Sequence, residues 1–411
     1  MSLRSINPLF FFSIILMFCS NCSNLDETIF NEGLRLYRQN KLDQALPFFE
    51  RATERDTNNA EAFAWLAETY RRLNKPEQAV QAARKSLALH YRNSFAHTTL
   101  ADTYNPQYGN WAQANSDTTW RHLLLAVRSD SNDGNAWLSL WIEGMRRGGD
   151  ALWKKALRSM VRTKFITPPL LAYNRWVLKN LPKDALLFTN GDMDTYPAAA
   201  LQVVEGFRTD VALVNISLLN TSWYPRFISR QYHVPLPFQD WEIDSLKPMW
   251  GQEKNIITTS NQIVQGWFKQ KEDNRLPIPI TIAGTVDFKA LPNVEGRLKL
   301  AGPYFLWLPQ KSDSPNDTAL MRMNVESIRP LDFKGPFAGA QDRSPIRMTS
   351  SNGLVGSVVW VVLYYADILI QAKRFPEATR ALDMAEEIDK NCVSGRMYSK
   401  RISELRKASG Y

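Results

Sequence analysis

The sequence predicts α-helical hairpins flanking a small, mostly parallel α/β domain, and three observations predict it. Gly33, Ala67 and Ala101 recur at a spacing of 34 residues, with Leu36, Tyr70 and Tyr104 each three positions later. From Asp184 helical spacing gives way to short apolar runs closed by polar residues, Ala185–Thr189, Val211–Asn215 and Pro279–Ala283, the pattern of strands buried on both faces. Near the far end the small-residue spacing returns through Tyr364, Ala366, Ala378, Leu382 and Ala385. At 411 residues the chain exceeds one ordinary core. The expected organisation is a leader over residues 1–22, helical repeats over 23–180, an α/β domain over 181–345 and a helical hairpin over 346–411.

The repeats carry their own packing logic. Ala45, Phe49 and Ala52 in the first unit, and Ala79, Ala83 and Ser86 in the next, take the second-helix positions. Small side chains there let antiparallel helices approach closely. Asn40-Lys41, Asn74-Lys75-Pro76 and Asp56-Thr57-Asn58-Asn59 supply the helix breaks. A third unit departs through residues 105–111, and a further hairpin starts at Ala136-Trp137 and decays toward residue 165. Residues 26–104 and 355–390 resemble tetratricopeptide proteins, whose period is about 34 residues. The resemblance implies stacked hairpins with a concave face that takes a peptide or partner protein. So few repeats can instead serve only to pack against the central domain.

Residues 1–22 combine Arg4 with the apolar run Pro8–Phe18 and two cysteines, the composition of a secretory signal. Cys22, after Ser20-Asn21, stands where a bacterial lipoprotein carries its lipid, with Cys19 the alternative acceptor. The expectation is an exported, lipid-anchored protein facing the periplasm or the cell surface. Signal removal leaves at most Cys22 and Cys392, so no disulfide framework is expected, and Cys392 reads as a small packing residue. The run Leu354–Ala366, interrupted by Asp367, is read as too short to cross a bilayer and as the buried first helix of a hairpin.

In the central region each strand leads into a helix, first from about Thr195 to Glu205 and then from about Ser222 to Arg230. Two consecutive units imply right-handed crossovers and a parallel pair. Leu298–Leu300 and Tyr304–Leu308 are expected to finish the sheet antiparallel. Leu186–Asp192, Asp194-Thr195, Gln202–Gly206, Arg208–Val211, Val214–Thr221, Trp223-Tyr224, Trp267, Ile278–Ile280 and Gly302–Leu306 resemble the soluble region that follows the membrane domain in bacterial protein O-mannosyltransferase-like integral membrane proteins. That resemblance covers residues 180–310 and implies a Rossmann-like domain followed by helical hairpins. Transferase chemistry belongs to the membrane part of that family, which this sequence does not contain. Met193 and Ala198–Ala200 depart from its pattern.

Polar residues gather past the strand ends, where open α/β sheets hold ligands. Asn190, Asp192, Asp194, Thr195, Asn215, Ser217, Asn220 and Thr221 are the candidate binding residues, with Trp223 or Tyr224 placed to stack on a sugar or peptide. The Asp192-x-Asp194 spacing also suits two carboxylates holding a divalent cation against a diphosphate. Asp194 or Thr195 could equally cap the helix that follows, and the Asn and Ser side chains could simply tie loops together. His90, His97, His122 and His233 have no metal-ligand spacing, and there is no nucleophile elbow, glycine-rich phosphate loop or C-x-x-C. A net charge of +9 is dispersed among acids, and with export it argues against nucleic acid. The sequence therefore points to a non-enzymatic, envelope-located scaffold without metal or cofactor that recognises a protein or glycan. The alternative is a component of envelope glycosyl transfer acting through Asp192 and Asp194.

Overall fold

The structure is a computed structural model describing residues 27–108, 111–251, 256–390 and 397–410. Cys19, Cys22 and Cys392 lie outside the described residues. The chain divides into two compact units, one running to Leu140 with Arg343–Ile346, the other comprising Trp141–Asp342 and Arg347 onward. The division falls within a helix, and the helices after it belong with the sheet.

The first unit is built from α1 (27–38), α2 (Leu42–Arg55), α3 (Ala60–Arg72), α4 (Pro76–Leu89), α5 (Ser94–Tyr104), α6 (Ser116–Ser129) and the start of α7 (Gly134–Arg146). Its period is visible in the backbone. Asn59 and Asn93 each accept a hydrogen bond from the amide three residues on, Ala62 and Ala96, and so satisfy a free N–H at a helix start. Asn40 and Asn74 each turn the hairpin in the left-handed region, at φ 59° and 56°. The residue after each closes the turn through a bond from its amide to the carbonyl five residues back, Lys41 to Leu36 and Lys75 to Tyr70. Ala45, Ala67, Ala83 and Ala101 are fully buried between helices. At Gly33 a methyl group would come within 3.0 Å of the Phe49 ring. Around them Phe49 stacks on Trp65, and Trp65 meets Phe95 edge-on at 4.8 Å.

The same closing bond recurs in the second unit. Gly149 bonds to the Gly144 carbonyl between α7 and α8 (Asp150–Arg162), and Arg374 to Leu369 between the later helices α15 (Pro345–Gln371) and α16 (Phe375–Lys390). In α7 the small and large positions are exchanged: Trp141 stands where Gly33, Ala67 and Ala101 stand, and Gly144 stands where Leu36, Tyr70 and Tyr104 do. A Cβ on Gly144 would meet the Trp153 backbone nitrogen and Cβ at 3.2 Å, so the close approach is kept one turn further along. At 27 residues α15 is long and apolar enough to cross a membrane by length and composition, which corrects the expectation of a short segment. In this fold 61% of its most apolar window is buried, as in the first helix of a hairpin.

The sheet combines β1 (Leu186–Thr189), β2 (Ala212–Asn215), β5 (Ile280–Ala283), β6 (Leu298–Leu300) and β7 (Tyr304–Trp307) in the order β2-β1-β5-β7-β6. Between β2 and β5 lie α11 (Trp223–Tyr232), the short α12 (Asp240–Ile243), a separate two-stranded pair β3 (Met249–Trp250) and β4 (Ile256–Ile257), and α13 (Thr259–Glu272). β1 pairs parallel with β2 and with β5, Phe188 lying opposite both Val214 and Ile282, and the last two pairings are antiparallel. The sheet is therefore mixed rather than mostly parallel. Helices cover both of its faces. Thr189 reaches Thr195 of α10 (Asp192–Glu205), while Phe188 packs against Trp267 and Phe268 of α13. α8 and α9 (Pro168–Lys179) pack on α10, and α14 (Thr318–Glu326) and α17 (Ser399–Ala408) complete this unit.

Buried chain ends are tied by side chains. Arg208 donates to the carbonyls of Leu178 in the last turn of α9 and of Leu181 and Pro182 beyond it, and is itself held by both Asp210 oxygens at 2.8 Å. Gln202 donates to the carbonyls of Arg208 and Val211. Pro197 lies inside α10 and lacks an N–H, so the Met193 carbonyl loses its helical donor. Asn174, 1% exposed, replaces it at 3.0 Å. We expect Asn174→Leu to lower stability by about 1–3 kcal/mol by orphaning that carbonyl. Adding Pro197→Ala, which restores the N–H, should recover part of the loss. Additive losses in a denaturant-melt double-mutant cycle would remove this role for Asn174.

Candidate functional site

Most of the residues gathered at the sheet edge meet and bond to one another, while Asp192 turns away and Trp223 Nε1 is buried without a hydrogen-bond partner. Asp194 is buried and accepts from the amides of Asn190 at 2.8 Å and Gly191 at 2.9 Å, and from the Thr285 hydroxyl beyond β5. Burial pushes its carboxyl above the usual range, against the pull of Thr285 and the two amides. Asp192 points elsewhere, 2.9 Å from Arg347, whose other nitrogen is 2.8 Å from Asp342. Burial alone would lower the Arg347 pKa, but Asp342 and Asp192 outweigh it and hold the guanidinium charged. The two carboxylates thus diverge, and no His, Cys, Asp and Glu cluster able to hold a metal ion exists among the described residues. Helix α10 begins at Asp192, three residues earlier than the sequence suggested, because Asp194 caps it from within the first turn.

The neighbouring polar groups are also engaged. Buried Asn215 donates to the Thr195 hydroxyl at 3.1 Å and accepts from the amides of Ser217 and Leu218. Ser217 donates to the Asn190 carbonyl, Thr221 donates to the Leu218 carbonyl, and Asn220 accepts from the Ser260 amide. Tyr224 is buried, its hydroxyl between the Asn215 amide and the Leu213 carbonyl, so its ring is not offered to a ligand. Trp223 is half-buried and meets Tyr224 edge-on at 5.4 Å. Asn190, Ser217 and Asn220 remain exposed at the surface of this network.

Two features were missed from the sequence. The first is a cavity of about 390 Å³ beside Gly284, the residue that follows β5, lined by Tyr173, Trp176, Phe288, Phe305, Trp360 and Tyr398. Gly302 belongs to its wall with φ 119°, and a Cβ there would lie 2.8 Å from that of Asn324. The signal in the sequence was Gly284 directly after an apolar strand, with Gly302-Pro303 before the next.

The second is a charged cluster on the face formed by α3, α5 and the start of α7. Glu68 is buried and receives two bonds of 2.7 Å from Arg71 and one from the Tyr37 hydroxyl. Burial would raise its carboxyl, but Arg71, Arg72 and Arg343 hold it below the usual range. Asp102, half-buried but ringed by protein, is pushed up to about 6 by desolvation. Asp133, 5% exposed, receives Ser94 and Arg343 at 2.8 Å. Nearby, His97 and His122 meet through their Nδ1 atoms at 3.0 Å.

Comparisons with known proteins agree with two kinds of module. Residues 36–101 match the tetratricopeptide repeat family, and residues 171–300 match TMEM260-associated domain 2. The chain thus carries a tetratricopeptide-type repeat segment and, apart from it, a central segment similar to that second domain. No curated protein matches the sequence. Among solved structures, a thermophilic tetratricopeptide protein of Thermus thermophilus is similar at 16% identity and a TM-score of 0.33, over 54% of this chain and 95% of that one. Yeast Tom70 is similar at 11% identity and a TM-score of 0.25, over 94% and 66%. The P58(IPK) tetratricopeptide domain is similar at 13% identity and 0.18, over 93% and 99%.

The divergence of the two carboxylates is testable. Asp194→Ala should cost about 1–2 kcal/mol by freeing two amides at a helix start. Asp192→Ala should cost under about 1 kcal/mol, because Arg347 keeps Asp342. Manganese titration calorimetry should give only heat of dilution; heat that disappears in both variants would restore a metal role.

Proposed function

We propose that this protein is an exported, lipid-anchored, non-enzymatic scaffold of the cell envelope, in which the tetratricopeptide unit holds a protein partner and the central domain presents a second recognition surface. The observation that carries this reading is the state of the polar residues at the sheet edge. Asp192, Asp194, Asn215 and Thr195 close loops and cap α10, which are structural roles, while the repeats are regular in caps, turns and close approaches. The aromatic cavity beside Gly284 suits the apolar face of a sugar ring, which stacks on such side chains. The β2-β1-β5 order supports a Rossmann-like reading of the sheet, with that cavity at the carboxyl end of β5. Arg4, the apolar run Pro8–Phe18 and Cys22 support export and anchoring.

Two experiments test this. In cells fed an alkyne fatty acid, the wild type should be labelled and Cys22→Ala should not; label retained by that variant would reject the anchor at Cys22. In a pull-down from envelope extract, removal of residues 27–104 should delete specific partners while the remaining sheet unit keeps its circular dichroism. An unchanged partner set would reject a binding role for the repeats.

A further inference from the structure

The charged cluster in the first unit is balanced by a residue from far along the chain. Among the described residues after Leu140, only Arg343–Ile346 belong to that unit. The Arg343 guanidinium lies 4.1 Å from the centre of the Phe95 ring and 2.8 Å from Asp133. Its backbone amide donates to the Asn135 side chain at 3.1 Å. Glu68 and Asp102 also feel its charge. Without Arg343, three carboxylates, Glu68, Asp102 and Asp133, face two arginines, Arg71 and Arg72, and Asp133 is left buried without a cation. Desolvated acids of this kind strongly favour a guanidinium, which stacks flat on an aromatic ring and donates in its own plane. A backbone amide read by an asparagine is a contact that any extended peptide can make.

We propose that Phe95, Asp133, Asn135, Glu68 and Asp102 form an arginine-reading pocket, filled here by the chain's own Arg343, which exchanges with an arginine in an extended segment of a partner polypeptide. This rests on the scaffold reading and names its partner class. Tethering gives the resident segment a high effective concentration, so the pocket is competent for a partner only in the fraction of molecules from which Arg343 has withdrawn. Partners with several contacts, or with one arginine and a second docking point, are favoured over single short peptides.

The test uses the full chain and a fluorescent synthetic peptide copying residues 338–349, with an Arg343→Ala version of the peptide as control. The native peptide should bind Arg343→Ala protein at least about tenfold more tightly than wild type, since the competing occupant is gone. Arg343→Lys, which keeps the charge and loses the planar fork, should also bind it more tightly than wild type. The control peptide should bind both variants at least about tenfold more weakly. Folded variants that bind the native peptide no better than wild type, or bind both peptides alike, would overturn the proposal. If neither variant folds, Arg343 is a fixed staple and the proposal falls. Loss of partners on deleting residues 27–104 together with no peptide binding would remove the pocket and leave the scaffold standing.

Discussion

A buried backbone amide or carbonyl that its own helix or strand cannot satisfy must be met by a side chain, and most of the order in this protein follows from that rule. Asn59 and Asn93 meet it at helix starts, Arg208 and Gln202 at the exits of α9 and α10, Asn174 opposite Pro197, and Asp194 at the mouth of β1. Each is a polar or charged side chain fixed by its contacts. Each also fixes the direction in which the chain leaves one element and enters the next.

This explains why a resemblance specific in its residues says little about chemistry. Gln202, Arg208, Asp210, Asp194 and Asn215 belong to the shared pattern of the central region, and all five hold loops in place. A pattern made of such residues reports a fold. The walls of the aromatic cavity come mostly from outside the matching stretches.

The helical part was legible because its signals are local. A period of small residues, asparagines at turns and caps, and apolar runs of strand length specify elements without reference to distant contacts. The antiparallel close of the sheet was readable for the same reason, as two strand-length runs separated by a three-residue turn. Less was visible where sequence-distant residues decide. Asp192 and Asp194 read as a pair only until Arg347 and Thr285 draw them apart, and neither partner could be found by spacing. The placement of the unit division inside α7 depends on α8 and α9 packing on α10. The 27 residues of α15 exceed its apolar run because polar residues at its start continue the helix.

The Arg343–Asp133 contact spans 210 positions, and this separation bears on biosynthesis. At about 5–20 residues per second, the ribosome finishes Asp133 roughly 10–40 seconds before it delivers Arg343. Throughout that interval the nascent repeats hold Arg71 beside Glu68 but leave Asp133, next to the Phe95 ring, without its cation. Any cationic segment nearby, including the arginines of a chaperone or a neighbouring nascent chain, meets it first.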